Sequence, residues 1–212
     1  MRILLASMLA LVLCAAAEAP GIEYFNDFEK AEPGSVPTEL MVFPGDAKFA
    51  VEQEPGNRFL RVKPTPVDGF GVLFGADDAA TTAVEARIRT TSLKKRFPEF
   101  GVGLGGSSAY RLWLMPATGE LQLLKGEEVM ASKPYEWKSG TWTRFKFQLQ
   151  PTTAGKSKLR GKVWPDGSPE PAEWMLTWED TEKPMTGRAS VGASPYPETP
   201  VDFDDIKSGT AK

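Results

Sequence analysis

The 212-residue chain contains no histidine and one cysteine, Cys14. Without histidine there is no usual general base for a serine or cysteine hydrolase, no imidazole ligand for zinc or non-haem iron, and no histidine pH switch. Excess charge of one sign is also missing. The formal net charge is -3, with Lys and Arg scattered among acids, so there is no basic footprint for nucleic acid. Beyond the N-terminus no apolar run is long enough to cross a bilayer as a helix. The chemistry left open runs on carboxylates, lysine, tyrosine, serine or threonine, and paired carboxylates suit it best.

The first seventeen residues read as a secretory signal. Arg2 supplies a positive start, and Ile3 to Leu13 is apolar apart from Ser7, which matches an export signal and is too short for a spanning helix. Small residues at Ala15, Ala16, Ala17 and Ala19 permit cleavage after Ala17 or Ala19, and Pro20, awkward after a cut, favours Ala17. Cys14 raises a second route, lipid attachment after a cut just before it, but Leu13 stands where that route expects a small residue. With the conventional cut the mature protein has no cysteine, so neither disulfide nor thiolate contributes in a compartment that permits them. The expected product is a secreted or periplasmic bacterial protein.

Residues 20–208 are expected to form one domain, because the chain after the signal is long enough for a substantial core and shows no compositional break. The 20 glycines and 18 prolines fall between short runs, which predicts many strands joined by turns and no long helices. Glu23 to Phe28 opens the domain, with Phe25 and Phe28 as core anchors, and Arg58 to Val62 and Gly69 to Phe74 follow. The clearest alternation is at Thr82 to Thr90, where Val84, Ala86 and Ile88 face one way and Glu85, Arg87 and Arg89 the other. Period-two patterning of this kind describes a strand with one buried face. It returns at Phe100, Val102 and Leu104, at Tyr110, Leu112 and Leu114, at Phe145, Phe147 and Leu149, and at Leu159, Gly161 and Val163. Further strands are expected around Trp174 to Trp178, Arg188 to Ala193 and Val201 to Lys207, with a frayed end. Ten or more short strands in one domain predict an all-β, two-sheet antiparallel sandwich or jelly roll, with a closed barrel as the alternative.

Several segments, in order, carry a resemblance: Phe25-Asn26-Asp27-Phe28-Glu29, Gly119-Glu120-Leu121-Gln122-Leu123, Gly140-Thr141-Trp142 before a Phe-Lys-Phe strand, Lys162-Val163-Trp164-Pro165-Asp166-Gly167 with Glu170-Pro171 and Trp174, and Val201-Asp202-Phe203-Asp204-Asp205-Ile206. Together they resemble the concanavalin A-like lectin/glucanase superfamily, in particular its laminin-G-like and bacterial family-16 glucanase-related domains. The resemblance implies two curved sheets, adjacent first and last strands, and a concave face that meets carbohydrate. It also implies a structural calcium ion, with Asp27 and Glu29 matching the opening acids and Asp204 and Asp205 the closing ones. A hard cation wants carboxylate oxygens, and acids from the two chain ends would otherwise repel. Active glucanases of the superfamily carry Glu-x-Asp-x-Glu on one strand, so that nucleophile and acid/base share a groove. That motif is absent, and no residue is assigned a catalytic role.

Trp113, Trp164 and Trp142 lie at non-core parity, accompanied by basic or amide side chains. Aromatic rings suit the C–H faces of sugars, and Arg, Lys and Gln suit their hydroxyls. Arg87, Arg111, Trp113, Arg144, Lys146, Arg160 and Trp164 are therefore expected to line one ligand-binding face, if their strands are neighbours. The expected function is carbohydrate binding, to polysaccharide or oligosaccharide, without cleavage. The alternatives are a divergent polysaccharide hydrolase or lyase working through carboxylates, and a protein-binding module of the envelope.

Overall fold

Short runs of alternating apolar and polar side chains bury one face each, and in the computed structural model they fold into strands β1 to β15, numbered in chain order. Residues 21–45, 47–63, 69–77, 81–152 and 155–211 are described. The expected export signal, its cleavage sites and Cys14 lie outside them. The eight-stranded sheet runs β13 (Leu176–Asp180), β12 (Ser157–Pro165), β11 (Thr143–Pro151), β6 (Ala83–Thr90), β15 (Val201–Thr210), β4 (Asn57–Val62) and β3 (Phe49–Glu54). Its eighth strand, β1 (Gly21–Asn26), pairs with the C-terminal half of β15. The seven-stranded sheet runs β10 (Glu128–Pro134), β9 (Glu120–Lys125), β8 (Tyr110–Met115), β7 (Glu99–Leu104), β14 (Ala189–Ser194), β5 (Phe70–Phe74) and β2 (Met41–Phe43).

The strand pairs are antiparallel and the described residues contain no helix, so the architecture is the expected two-sheet β-sandwich rather than a barrel. First and last strands are adjacent, as the resemblance implied. No described helix is long and apolar enough to cross a membrane.

The core lies between the sheets. Val84, Ala86, Ile88, Phe145, Phe147, Leu159 and Val163 are buried on one side and Phe100, Val102, Leu104, Tyr110, Leu112 and Leu114 on the other, as the alternation predicted. Gly161 faces the core too, and a methyl group there would lie 2.5 Å from Leu112 Cδ1. One polar tie crosses the interior: the Tyr110 hydroxyl donates to Asp180 Oδ2 at 2.6 Å, and Lys125 Nζ lies 3.0 Å from the same oxygen. Burial and the Asp180 bond push the Tyr110 hydroxyl up to about 12.

Three expectations are corrected. Phe28 is buried but Phe25 is 50% exposed, because β1 packs at the margin of the sheet with Lys207 over the Phe25 ring. Strands β2, β3 and β10 were not anticipated. The C-terminal residues do not fray, since Gly209 and Thr210 pair with Ile22 and Gly21.

Tyr110→Phe is expected to lower the unfolding free energy by about 1–3 kcal/mol, because it withdraws a donor from the buried Asp180 carboxylate. Urea denaturation measures this, and an unchanged midpoint would show that Lys125 and the Glu182 N–H satisfy Asp180 without the tyrosine.

Candidate ligand-binding site

The predicted ligand residues fall on two different surfaces. Strands β6, β11 and β12 carry Arg87, Arg144, Lys146, Arg160 and Trp164 on the outward face of the eight-stranded sheet, whereas β8 carries Arg111 and Trp113 on the outward face of the other. The two groups cannot line a common face, because the core lies between them.

On the eight-stranded sheet the basic side chains are engaged by the protein's own groups, although Arg87 Nε and Arg160 Nε have no hydrogen-bond partner. Registration sets Arg144 opposite Arg87 and Lys146 opposite Lys162, like-charge pairs that destabilise a sheet unless neutralised. The segment after β12 supplies two neutralising acids, beside Glu85, which lies 3.1 Å from Lys146 Nζ. Asp166 accepts from both Arg144 Nε and Arg87 Nη1, and Glu170 Oε1 lies 3.1 Å from Lys146 Nζ and 2.7 Å from Lys162 Nζ. Burial pushes both carboxyls up, but these cations outweigh it and hold them below their ordinary values. Trp174 lies against Arg160 and Lys162, and Trp142 against Arg87 and Arg89. Arg160 Nη2 also donates to Gln148 Oε1. Trp164 is 7% exposed, so its ring offers almost no surface to a ligand.

The acids expected to hold calcium are engaged differently. Asp204 Oδ2 accepts from Arg87 Nη2 at 2.6 Å and from Asn57 Nδ2 at 3.0 Å, and its Oδ1 accepts from the Asp205 N–H. Asp205 Oδ2 accepts from Arg144 Nη2. Asp27 accepts from the Glu29 N–H, and Glu29 accepts from the Arg58 N–H. Among the described residues no three or more acids gather into a group that could hold a metal ion. The donor set does not fit calcium, because guanidinium groups already supply the positive charge next to the closing acids. Burial pushes the Asp204 carboxyl up to about 6 despite Arg87, Asn57 and the Asp205 N–H.

The seven-stranded sheet presents a different surface. One transverse row of registered partners runs Phe43, Gly71, Gly192, Gly101, Trp113 and Gln122 across six strands, from β2 through β5, β14, β7 and β8 to β9. Three consecutive glycines therefore separate two aromatic residues. A methyl group on Gly71 would lie 2.4 Å from Phe43 Cζ, one on Gly101 would lie 2.0 Å from the Leu112 carbonyl oxygen, and one on Gly192 would lie 3.5 Å from Trp113 Cζ2. Glycine here permits close approach of rings to backbone, and the Trp113 indole reaches across β7 toward β14. A cleft of about 210 Å³ results, walled by Phe43 and Trp113, with Ser107, Ser108, Ser190 and Ser194 as hydroxyl groups and Arg111 as its charged lining residue. Arg111 lies over Trp113 at 5.6 Å and donates through Nη2 to the Gly126 carbonyl at 2.6 Å. Sequence reasoning found Arg111 and Trp113 but missed Phe43, the serines and the floor. Gly101, Gly103, Gly192 and Gly71 at alternate outward positions were the available signal.

No protein-family model and no curated protein matches the sequence. Solved structures do share its fold. The Emp47p carbohydrate recognition domain superposes with a TM-score of 0.60 at 9% identity, over 89% of this chain and 95% of that one. A glycosyl hydrolase family protein from Mycobacterium fortuitum gives 0.58 at 12% identity, over 89% and 99%. The VIP36 exoplasmic/lumenal domain, solved with Ca2+ and Man3GlcNAc bound, gives 0.54 at 7% identity, over 82% and 84%. The concanavalin A-like jelly roll implied by the sequence is thus the fold of the chain.

Two expectations separate arginine pairing from calcium. Asp204→Ala should cost about 1–3 kcal/mol at pH 7, since a buried donor set loses its acceptor, while Asp27→Ala, on the exposed loop, should change stability by less than about 0.5 kcal/mol. Chelator should leave the melting temperature unchanged. Equal losses in the two variants, together with a chelator-lowered melting temperature, would contradict this. The raised Asp204 value also fixes a sign. Its contribution to stability is fully present below the ordinary 3.8 and is lost as pH rises through about 6. Asp204→Asn should remove that decline when denaturation midpoints are compared at pH 4 and pH 7.

Proposed function

We propose that this protein is an exported carbohydrate-binding domain that holds a sugar in the cleft between Phe43 and Trp113 without cleaving it. The observation that carries the reading is the row of three glycines between two aromatic residues on an outward sheet face. A strand face without side chains lets a ring-shaped ligand lie close to the backbone, and an aromatic wall offers its C–H surface an apolar platform. Serine hydroxyls around the cleft add the few convergent polar groups that orient a ligand. A fold shared with a carbohydrate recognition domain and with a domain that held Man3GlcNAc supports the reading.

Cleavage is the second reading, favoured by the glycosyl hydrolase family protein of the same fold. Glycoside hydrolysis ordinarily needs two carboxyl groups flanking the scissile bond, and none of the described cleft-lining residues is acidic. Glu99 faces outward on β7 opposite Ser194, and burial pushes its carboxyl above the ordinary value while the Arg111 charge opposes. A single acid beside the cleft does not make the pair.

The test is a glycan array probed with the chain from Glu18 onward, with reducing ends assayed in parallel. Binding should be confined to related saccharides, fall at least tenfold in Trp113→Ala and persist in Trp164→Ala, with no new reducing ends. Loss in Trp164→Ala alone would move the site to the other sheet, and new reducing ends would favour the hydrolase. A blank array would shift the reading to an envelope protein as partner.

A further inference from the structure

The donor and acceptor inventory of the cleft is lopsided. Among the described residues its lining contains no Asp, Glu, Asn or Gln side chain. A neutral sugar is rich in hydroxyl donors and calls for acceptors of those kinds. Backbone carbonyls of the floor are committed to the ladders that join β5, β14, β7 and β8. Among the serines, Ser190 already donates to the Gly106 carbonyl. Donors, by contrast, are in surplus. Arg111 Nε and Trp113 Nε1 both carry N–H groups that are buried and have no acceptor. An unmet buried donor is costly to leave that way, and the two sit on one strand at adjacent outward positions. Arg111 also brings a full positive charge at low exposure. The acid paired with it, Glu127, is 91% exposed and so neutralises it weakly.

We propose that the cleft selects a carboxylated sugar, a uronic acid residue whose carboxylate meets Arg111 while its ring rests against Trp113. The ligand supplies a carboxylate, which the described lining lacks, to the Arg111 charge that Glu127 neutralises weakly. At about 210 Å³ the cleft is below the roughly 300–1,000 Å³ of sites for drug-sized ligands, which suits one sugar ring rather than a long stretch of chain. Glu99, on the same face, opposes an incoming anion, so Arg111 rather than the local field in general is the selecting group. This inference rests on the carbohydrate-binding reading above.

The test pairs each acidic probe with its neutral counterpart. Oligogalacturonate and oligomannuronate are titrated by calorimetry against the chain from Glu18 onward, beside the same oligosaccharides after carboxyl reduction. Affinity should fall about tenfold or more on carboxyl reduction, the scale of a lost charge-assisted hydrogen bond. Arg111→Met, which keeps the aliphatic stem against Trp113, should abolish that preference, and Arg111→Lys should restore part of it. Glu99→Gln should tighten binding of the acidic probes alone. Thermal melts of each variant identify those that fail to fold. Equal affinity for acidic and reduced probes, or an acid preference that survives Arg111→Met in a folded variant, would overturn the inference and leave the carbohydrate-binding reading standing. Binding of neutral glycans but not of either acidic probe would do the same. Absence of binding to every glycan would remove both.

Discussion

Carboxylate–guanidinium pairing around β15 organises the outer face of the eight-stranded sheet. A central strand must direct every second side chain away from the core, and β15 directs Asp202 and Asp204 there, 3% and 0% exposed. Buried carboxylates persist only when paired and hydrogen-bonded. Arg61 and Arg89 close on Asp202, at 2.6 Å and 3.0 Å, and Arg87 closes on Asp204. Because cross-strand register then sets cations opposite cations, the chain after β12 must return with Asp166 and Glu170. Trp142 and Trp174 cover the result. Each step follows from the one before, and together they fill this face with the protein's own groups.

The opposite outer face is built on a different principle. Where the first sheet carries long charged side chains, β5, β7 and β14 carry glycine and serine at their central outward positions, so the rings of Phe43 and Trp113 settle onto the floor and leave a cleft between them. A row of glycines across adjacent strands costs stability, since glycine loses more conformational freedom than other residues on folding. That cost is offset by the rings packed onto the floor and, in the proposed function, by the ligand. The division between a charged face engaged largely by its own acids and a face of small residues is the reason the proposed function places recognition on the second.

Much of the fold was legible in the sequence because side-chain parity is local. The alternations in β6, β8, β11 and β12 were read with the correct faces, and Trp113 and Arg111 emerged from them. The missed strands lack that signal. In β3, Phe49, Ala50 and Val51 are all buried, so nothing alternates. Strand β2 has three residues, and β10 is a largely exposed edge. Which strands share a sheet was not legible, because that depends on pairings distant in sequence: β11 and β15 flank β6, while β8 pairs with β7 and β9 in the other sheet. Arg87 and Arg111 therefore looked equivalent although they lie on opposite surfaces. The closing acids Asp204 and Asp205 suggested a cation, but the partners that satisfy them, Asn57, Arg87 and Arg144, come from three other strands.

The central claim is that ligand meets the seven-stranded sheet and not the charged face. Indole N–H resonances report on both at once, because Trp113 lies on the first and Trp142, Trp164 and Trp174 on the second. Titrating 15N-labelled protein with a saccharide positive on the array should shift the Trp113 Nε1–H resonance and leave those of Trp142, Trp164 and Trp174 in place. Shifts confined to Trp142, Trp164 or Trp174, with Trp113 unmoved, would contradict the account.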